Sequence, residues 1–88
     1  LLYSSGTTGQ PKGAQLSHAN LLANATTLVT AWGFTPADRL LHALPLHHAH
    51  GLFVAIGTAW AAGATVLLRE RFAADDVVAR LPDCTVFM

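Results

Sequence analysis

The sequence predicts an α/β chain, a mostly parallel sheet with helices on its faces, in the order β-loop-β-α-β-α-β-α-β. Three observations predict it. Short apolar runs at residues 40–44, 64–68 and 84–88 lack the polar alternation of half-exposed strands, which is how strands covered on both faces read. Segments of helical period lie between them, set off by glycine and proline. Hydrophobic residues make up 52% of the 88 positions and charged residues 11%, too apolar for a free-standing domain that buries only about 60 to 65% of its unfolded surface. Residues 1–88 are therefore expected to be a single internal fragment of a larger domain.

The elements follow in order. Residues 1–4 read as a short strand, and residues 5–13, rich in Gly, Ser, Thr and Pro, as a loop. Residues 14–16 leave room for a short return strand before Ser17, a good helix N-cap, with Asn20 three positions on and short of a full capping box. Leu21, Leu22, Ala25, Leu28, Val29 and Trp32 then form one helical stripe, ended by Gly33. Residues 34–39 connect to a strand at 40–44, closed by Pro45. A helix at 52–62, a strand at 64–68, a short helix at 73–81 and a strand from Cys84 complete the chain.

Charge excludes some functions. Five Lys and Arg balance five Asp and Glu, so the basic face that nucleic-acid binding requires is absent. Residues 52–68 carry no charge, but Gly57 and Gly63 interrupt them and a β-branched run follows, so a buried helix and strand explain them better than a membrane span. Cys84 is the only cysteine; it reads as an inert buried thiol in a reducing compartment, the cytoplasm.

Residues 3–13, Tyr-Ser-Ser-Gly-Thr-Thr-Gly-Gln-Pro-Lys-Gly, hold the strongest chemical signal. Glycines let backbone N–H groups turn inward around an anion, hydroxyls add neutral donors, and a lysine supplies a point charge for phosphate oxygens. The alternative is a flexible surface turn. The loop is not a Walker A loop, because Pro11 stands where a glycine precedes the lysine and Gly13 replaces the Ser/Thr that would hold Mg²⁺.

Four of the five histidines, His42, His47, His48 and His50, lie in or beside Leu-Pro-Leu-His-His-Ala-His-Gly, residues 44–51. This segment leaves the carboxyl end of a strand and enters a helix near Gly51, where open parallel sheets collect ligands and a helix N-terminus faces an anion. Three readings compete: substrate contact, structural histidines, and a metal site. No acidic residue or cysteine lies between Arg39 and Arg69 to complete a metal ligand set. Arg69 or Arg71, past the next strand, adds charge only if it is not simply solvated.

Residues 3–13 match, in all but the variable positions, the Tyr-(Ser/Thr)-Ser-Gly-(Ser/Thr)-Thr-Gly-x-Pro-Lys-Gly signature, so the chain resembles the adenylate-forming superfamily of acyl-CoA synthetases, luciferases and peptide-synthetase adenylation domains. The resemblance implies that residues 1–88 belong to the larger N-terminal, AMP-binding domain. It implies that Ser5, Gly6, Thr7, Thr8, Gly9 and Lys12 hold the β- and γ-phosphates of ATP, with Mg²⁺, as pyrophosphate leaves. Residues 45–51 resemble the family's second core motif, in which the position of His48 lines the acyl pocket beside the adenylate phosphate; Lys12 and His48 are then the catalytic side chains. His50 before Gly51 is most similar to malonyl-CoA synthetases, which makes His48, His50 and Gly51 the substrate-binding residues and malonate the expected acid. A second carboxylate is costly to bury unless cationic or donor groups meet it, which explains histidines there.

The activity implied for the parent is ATP-dependent activation of malonate or a similar dicarboxylate, followed by thioester formation with coenzyme A. Rival readings are a CoA ligase for another short or fatty acid, an adenylation domain loading a carrier protein, and, in a different class, a non-enzymatic histidine-rich metal-binding module. The 88 residues alone are expected to be inactive and to need the rest of the parent chain to fold.

Overall fold

The computed structural model describes residues 1–4 and 9–88. Its elements follow the predicted order. Strands β1 (Leu2–Ser4) and β2 (Lys12–Ala14) pair antiparallel, Leu2 facing Ala14, Tyr3 facing Gly13 and Ser4 facing Lys12. This hairpin is a sheet of its own, so the sheet structure is partly parallel and partly antiparallel. The reason is chain length: residues 5–11 are too few for the crossover of a dozen or more residues that parallel neighbours need.

Helix α1 (His18–Trp32) starts and stops where Ser17 and Gly33 predict. The backbone N–H of Asn20 donates to Ser17 Oγ at 3.1 Å and that of Ser17 donates to Asn20 Oδ1 at 3.0 Å. Asn20 thus completes the capping box that its short side chain was expected to leave open, stabilising the helix start by about 1 kcal/mol. Gly33 closes the helix in the left-handed conformation, and the N–H of Phe34 donates to Val29 O. Of the predicted stripe, Ala25 is buried and Leu21, Leu28 and Val29 are half-buried, but Leu22 and Trp32 face outward.

The second sheet has strand order β4-β3-β5, all parallel: β3 (Arg39–His42) lies between β4 (Thr65–Leu68) and β5 (Val86–Phe87). Leu40, Leu41 and His42 of the central strand have no exposed surface. Their alternation divides the core. Leu40 packs with Phe34, Ala55 and Ala59 on one face, and Leu41 packs with Ala43 and Val77 on the other. Helices therefore cover both faces, as a parallel sheet requires.

The helix expected at 52–62 begins as a wide π-helical turn, His50–Ile56, and tightens into α2 (Gly57–Ala61). On the opposite face, α3 (Ala74–Arg80) has Asp75 and Asp76 in its first turn and Arg80 in its last, matching the helix dipole. Arg69, just after β4, grips Asp76 with two hydrogen bonds of 2.7 and 2.9 Å. At the other end of the sheet, the N–H of Arg39 donates to Thr85 Oγ1 and Thr85 Oγ1 donates to Asp38, tying β5 to the start of β3. No described helix is long and apolar enough to cross a membrane.

Candidate functional site

The residues predicted to hold phosphate belong to the hairpin segment. Ser5, Gly6, Thr7 and Thr8 lie outside the described residues. Gly9 has φ 121°, a conformation open to glycine and strained for any other residue. Lys12 opens β2 opposite Ser4, exposed, and forms no ion pair among the described residues. No Asp or Glu occurs before Asp38, so the hairpin and α1 hold no carboxylate to compete with an anion for Lys12, and none to ligate a metal.

The histidine segment leaves the carboxyl end of β3, the middle strand of the parallel sheet. His47, His48 and His50 are exposed, with the His47 and His48 ring centroids 4.3 Å apart. The N–H of His48 donates to Pro45 O, and the N–H of Leu52 donates to His48 O, so the segment closes as a turn onto the π-helical residues. Gly51 is buried against it. A Cβ at Gly51 would stand 2.3 Å from Pro45 O, 3.1 Å from Pro45 C and 3.5 Å from His42 Cε1. The predicted substrate-binding glycine thus has a steric reason to be glycine: the backbone of the turn passes directly over its Cα.

His42 is fully buried, and neither ring nitrogen has a hydrogen-bond partner among the described residues. Burial first, and then the charge of His50, hold its pKa below the usual histidine value. His42 therefore stands apart from the three exposed histidines.

One cleft lies between the start of the hairpin, α1 and the histidine segment. About 280 Å³ in volume, it is lined by Leu2 of the hairpin, by Leu16 just before α1, by Asn20 and Asn24 along α1, and by Ala49 and Phe53 of the histidine segment and its helix. Ala49 sits between the two histidines predicted to meet substrate. Sequence reasoning missed the α1 side of this cleft, although Asn20 and Asn24, four residues apart, share one face of the helix.

Arg69 is committed to Asp76 on the α3 face, so it is not the free positive charge considered for the acid; Arg71 is exposed beside it. Among the described residues, no three His, Cys, Asp or Glu side chains gather where they would hold a metal ion. Cys84 is half-buried and its Sγ donates to Arg80 O at 3.3 Å.

The AMP-binding enzyme family model matches residues 1–87. The chain is 43% identical over 93 residues to the mitochondrial malonate–CoA ligase ACSF3 of Mus musculus, covering 100% of this chain and 16% of that protein. It is 45% identical over 74 residues to a sulfoacetate–CoA ligase of Cupriavidus necator, covering 84% of this chain and 14% of that one. Among solved structures, ATP-bound MatB from Rhodopseudomonas palustris superposes with a TM-score of 0.93 at 48% identity, covering 99% of this chain and 17% of that one. The chain therefore spans between 14% and 17% of the length of these relatives.

Proposed function

The chain belongs to the AMP-binding enzyme family, and from that premise we propose that it is part of the N-terminal domain of an ATP-dependent carboxylate–CoA ligase whose acid is malonate or a similar dianion. The observation that carries the reading is the likeness of nearly the whole chain to ATP-bound MatB. The malonate–CoA and sulfoacetate–CoA ligases among its relatives act, by name, on acids with a second anionic group.

The chemical difficulty is electrostatic: a carboxylate must approach the α-phosphorus of a polyanion, and pyrophosphate must leave. Preorganised donors that meet the developing charge lower that barrier. In this proposal Lys12 supplies the point charge to the departing phosphates, and Ser5, Gly6, Thr7, Thr8 and Gly9 supply hydroxyl and backbone N–H donors. Magnesium enters with ATP as part of the substrate, since the hairpin has no carboxylate of its own to hold it. His48 and His50 meet the second anionic group of the acid, and Gly51 lets their turn close. Once the acyl-adenylate has formed, the thiol of coenzyme A displaces AMP to give the thioester. A reducing compartment, the cytoplasm, belongs to the same proposal through the unpaired thiol of Cys84, although the mouse relative is named mitochondrial.

The test is ATP–pyrophosphate exchange by the intact parent protein with malonate, sulfoacetate, acetate and a fatty acid in turn. Strongest exchange with a dianionic acid is expected; strongest exchange with acetate or the fatty acid removes the dianion reading. Thioester formation with free coenzyme A distinguishes a CoA ligase from a domain that loads a carrier protein.

A further inference from the structure

We propose that His42 is a positioning residue for the acid-binding turn: its buried imidazole is the floor on which Gly51 rests, and through Gly51 it sets where His48 and His50 stand. The proposal depends on the reading of that turn as the acid site.

Three observations carry it. The His42 side chain has no exposed surface at the carboxyl end of the central strand, where the histidine turn departs. Its ring touches the place where Gly51 has no side chain, 3.5 Å from Cε1 to a Cβ built there. Both ring nitrogens lack partners among the described residues, an arrangement a buried polar group adopts at a cost. A leucine or methionine would make a plain floor without that cost. What distinguishes histidine is that it has a second, charged state.

The charged state does not fit. The π-helical turn packed on His42 brings His50, itself a base, and residues 43–49 bring His47 and His48. The neighbouring strands end in Leu68 on one side and Phe87 on the other, with Met88 beyond. The nearest arginine in sequence on β4's side, Arg69, gives its guanidinium to Asp76 on the α3 face. No carboxylate among the described residues is turned toward the ring to balance a charge, and burial together with His50 holds its pKa below 6.5.

The sign follows. Because the folded pKa lies below the unfolded one, the stability of the neutral ring is full above pH 6.5 and is lost as pH falls below it toward the folded value. A protonated His42 has to leave its place, and Gly51 moves with it. Acid therefore acts on the site through His42, whose protonation takes away the geometry that presents His48 and His50.

The experiment uses the intact parent protein and whichever carboxylic acid it activates best, so the identity of the acid does not enter. KM for the acid and KM for ATP are measured separately from about pH 5 to 8 for wild type, His42→Leu and His42→Gln, two variants that fill the space without a titrating ring. In wild type, KM for the acid is expected to rise about tenfold toward pH 5 while KM for ATP stays level. Either variant should keep the acid KM within about threefold of wild type at pH 8 and lose the acid-side rise. An acid-side rise of the same size and midpoint in a folded variant overturns the proposal. A parent that activates no acid overturns the reading of the turn instead. The placement of His42 is then read from unfolding of wild type and His42→Leu across the same pH range, where wild type alone should lose stability in acid, and parallel pH dependences overturn it.

Discussion

Replacing Gly51 with alanine tests the geometry of the acid turn at its tightest point. The added methyl falls 2.3 Å from Pro45 O, whereas ordinary contact begins at 3.4 Å, so roughly 1.1 Å has to come from backbone movement, because a carbonyl cannot rotate aside as a flexible side chain would. Overpacking of this kind costs about 1–3 kcal/mol. Pro45 O also accepts the N–H of His48, so the movement is passed directly to a residue proposed to touch the acid, and a misplacement of about 1 Å costs on the order of 100-fold in rate. Gly57→Ala is the matched control. Gly57 is helical, at φ −58° and ψ −43°, and nothing lies within 4 Å of a Cβ there, so alanine should raise stability by about 0.4–1 kcal/mol. Urea unfolding of the intact parent, with KM for acid and for ATP, reads both variants. Gly51→Ala should lose stability and raise KM for the acid about 10- to 100-fold with little change in KM for ATP; if it behaves like Gly57→Ala in both measurements, the close approach of Pro45 to Gly51 does not position the site.

Lys12→Met should raise KM for ATP by about 10- to 100-fold, the equivalent of one hydrogen bond to a charged group at about 1.5–3 kcal/mol, and an unchanged value takes the lysine out of the phosphate site. His48→Ala and His50→Ala should each raise KM for malonate at least about tenfold more than KM for acetate; equal effects on the two acids leave no role for these side chains in meeting a second carboxylate. Asp38 accepts the backbone N–H of Thr35 first and then the hydroxyl of Thr85, which hold its carboxyl below the usual 3.8. Its contribution to stability is therefore present above pH 3.8 and lost as pH falls through the lowered value, so Asp38→Asn should flatten the acid end of the parent's stability curve, and an unaltered curve counts against the network that ties β5 to β3.

Where one residue announces an element, the sequence is enough. Ser17 and Gly33 bound α1 because a cap and a left-handed terminus are local properties. Leu40, Leu41 and His42 are all buried because β3 is the central strand of a parallel sheet covered on both faces, with alternation turning Leu40 to one face and Leu41 to the other. The features that stayed hidden depend on contacts between distant residues. The π-helical turn is set where Gly51 packs under Pro45, and no periodicity encodes that contact. The grip of Arg69 on Asp76 spans a turn between strand and helix. Leu22 and Trp32 satisfy the helical stripe and yet lie outward, because period assigns a face to residues without saying what covers that face. For the proposed site, the motifs put forward Lys12, His48, His50 and Gly51, whereas Asn20, Asn24 and Phe53 enter only through the cleft.

The distribution of acidic groups gives the cleft its chemical character, although the chain as a whole is neutral. Asp38 and Asp83 lie at the amino end of the parallel sheet, where the first is tied to Thr35 and Thr85. Asp75 and Asp76 start α3 on the far face, with Asp76 neutralised by Arg69, and Glu70 and Arg71 adjoin each other in the turn before it. The hairpin, α1 and the histidine turn contain no acidic residue at all. A cleft walled by apolar side chains and the neutral amides of Asn20 and Asn24 sets no negative charge against a carboxylate, and in a partly desolvated space that lack of repulsion is worth more than it would be in water. Bringing two anions within bonding distance is the difficult part of adenylation. In the proposed reaction, the absence of all five carboxylates from the cleft lining would ease that approach without a dedicated metal ligand from this part of the chain, and it leaves the exposed His47, His48 and His50 with no acidic residue in their own segment.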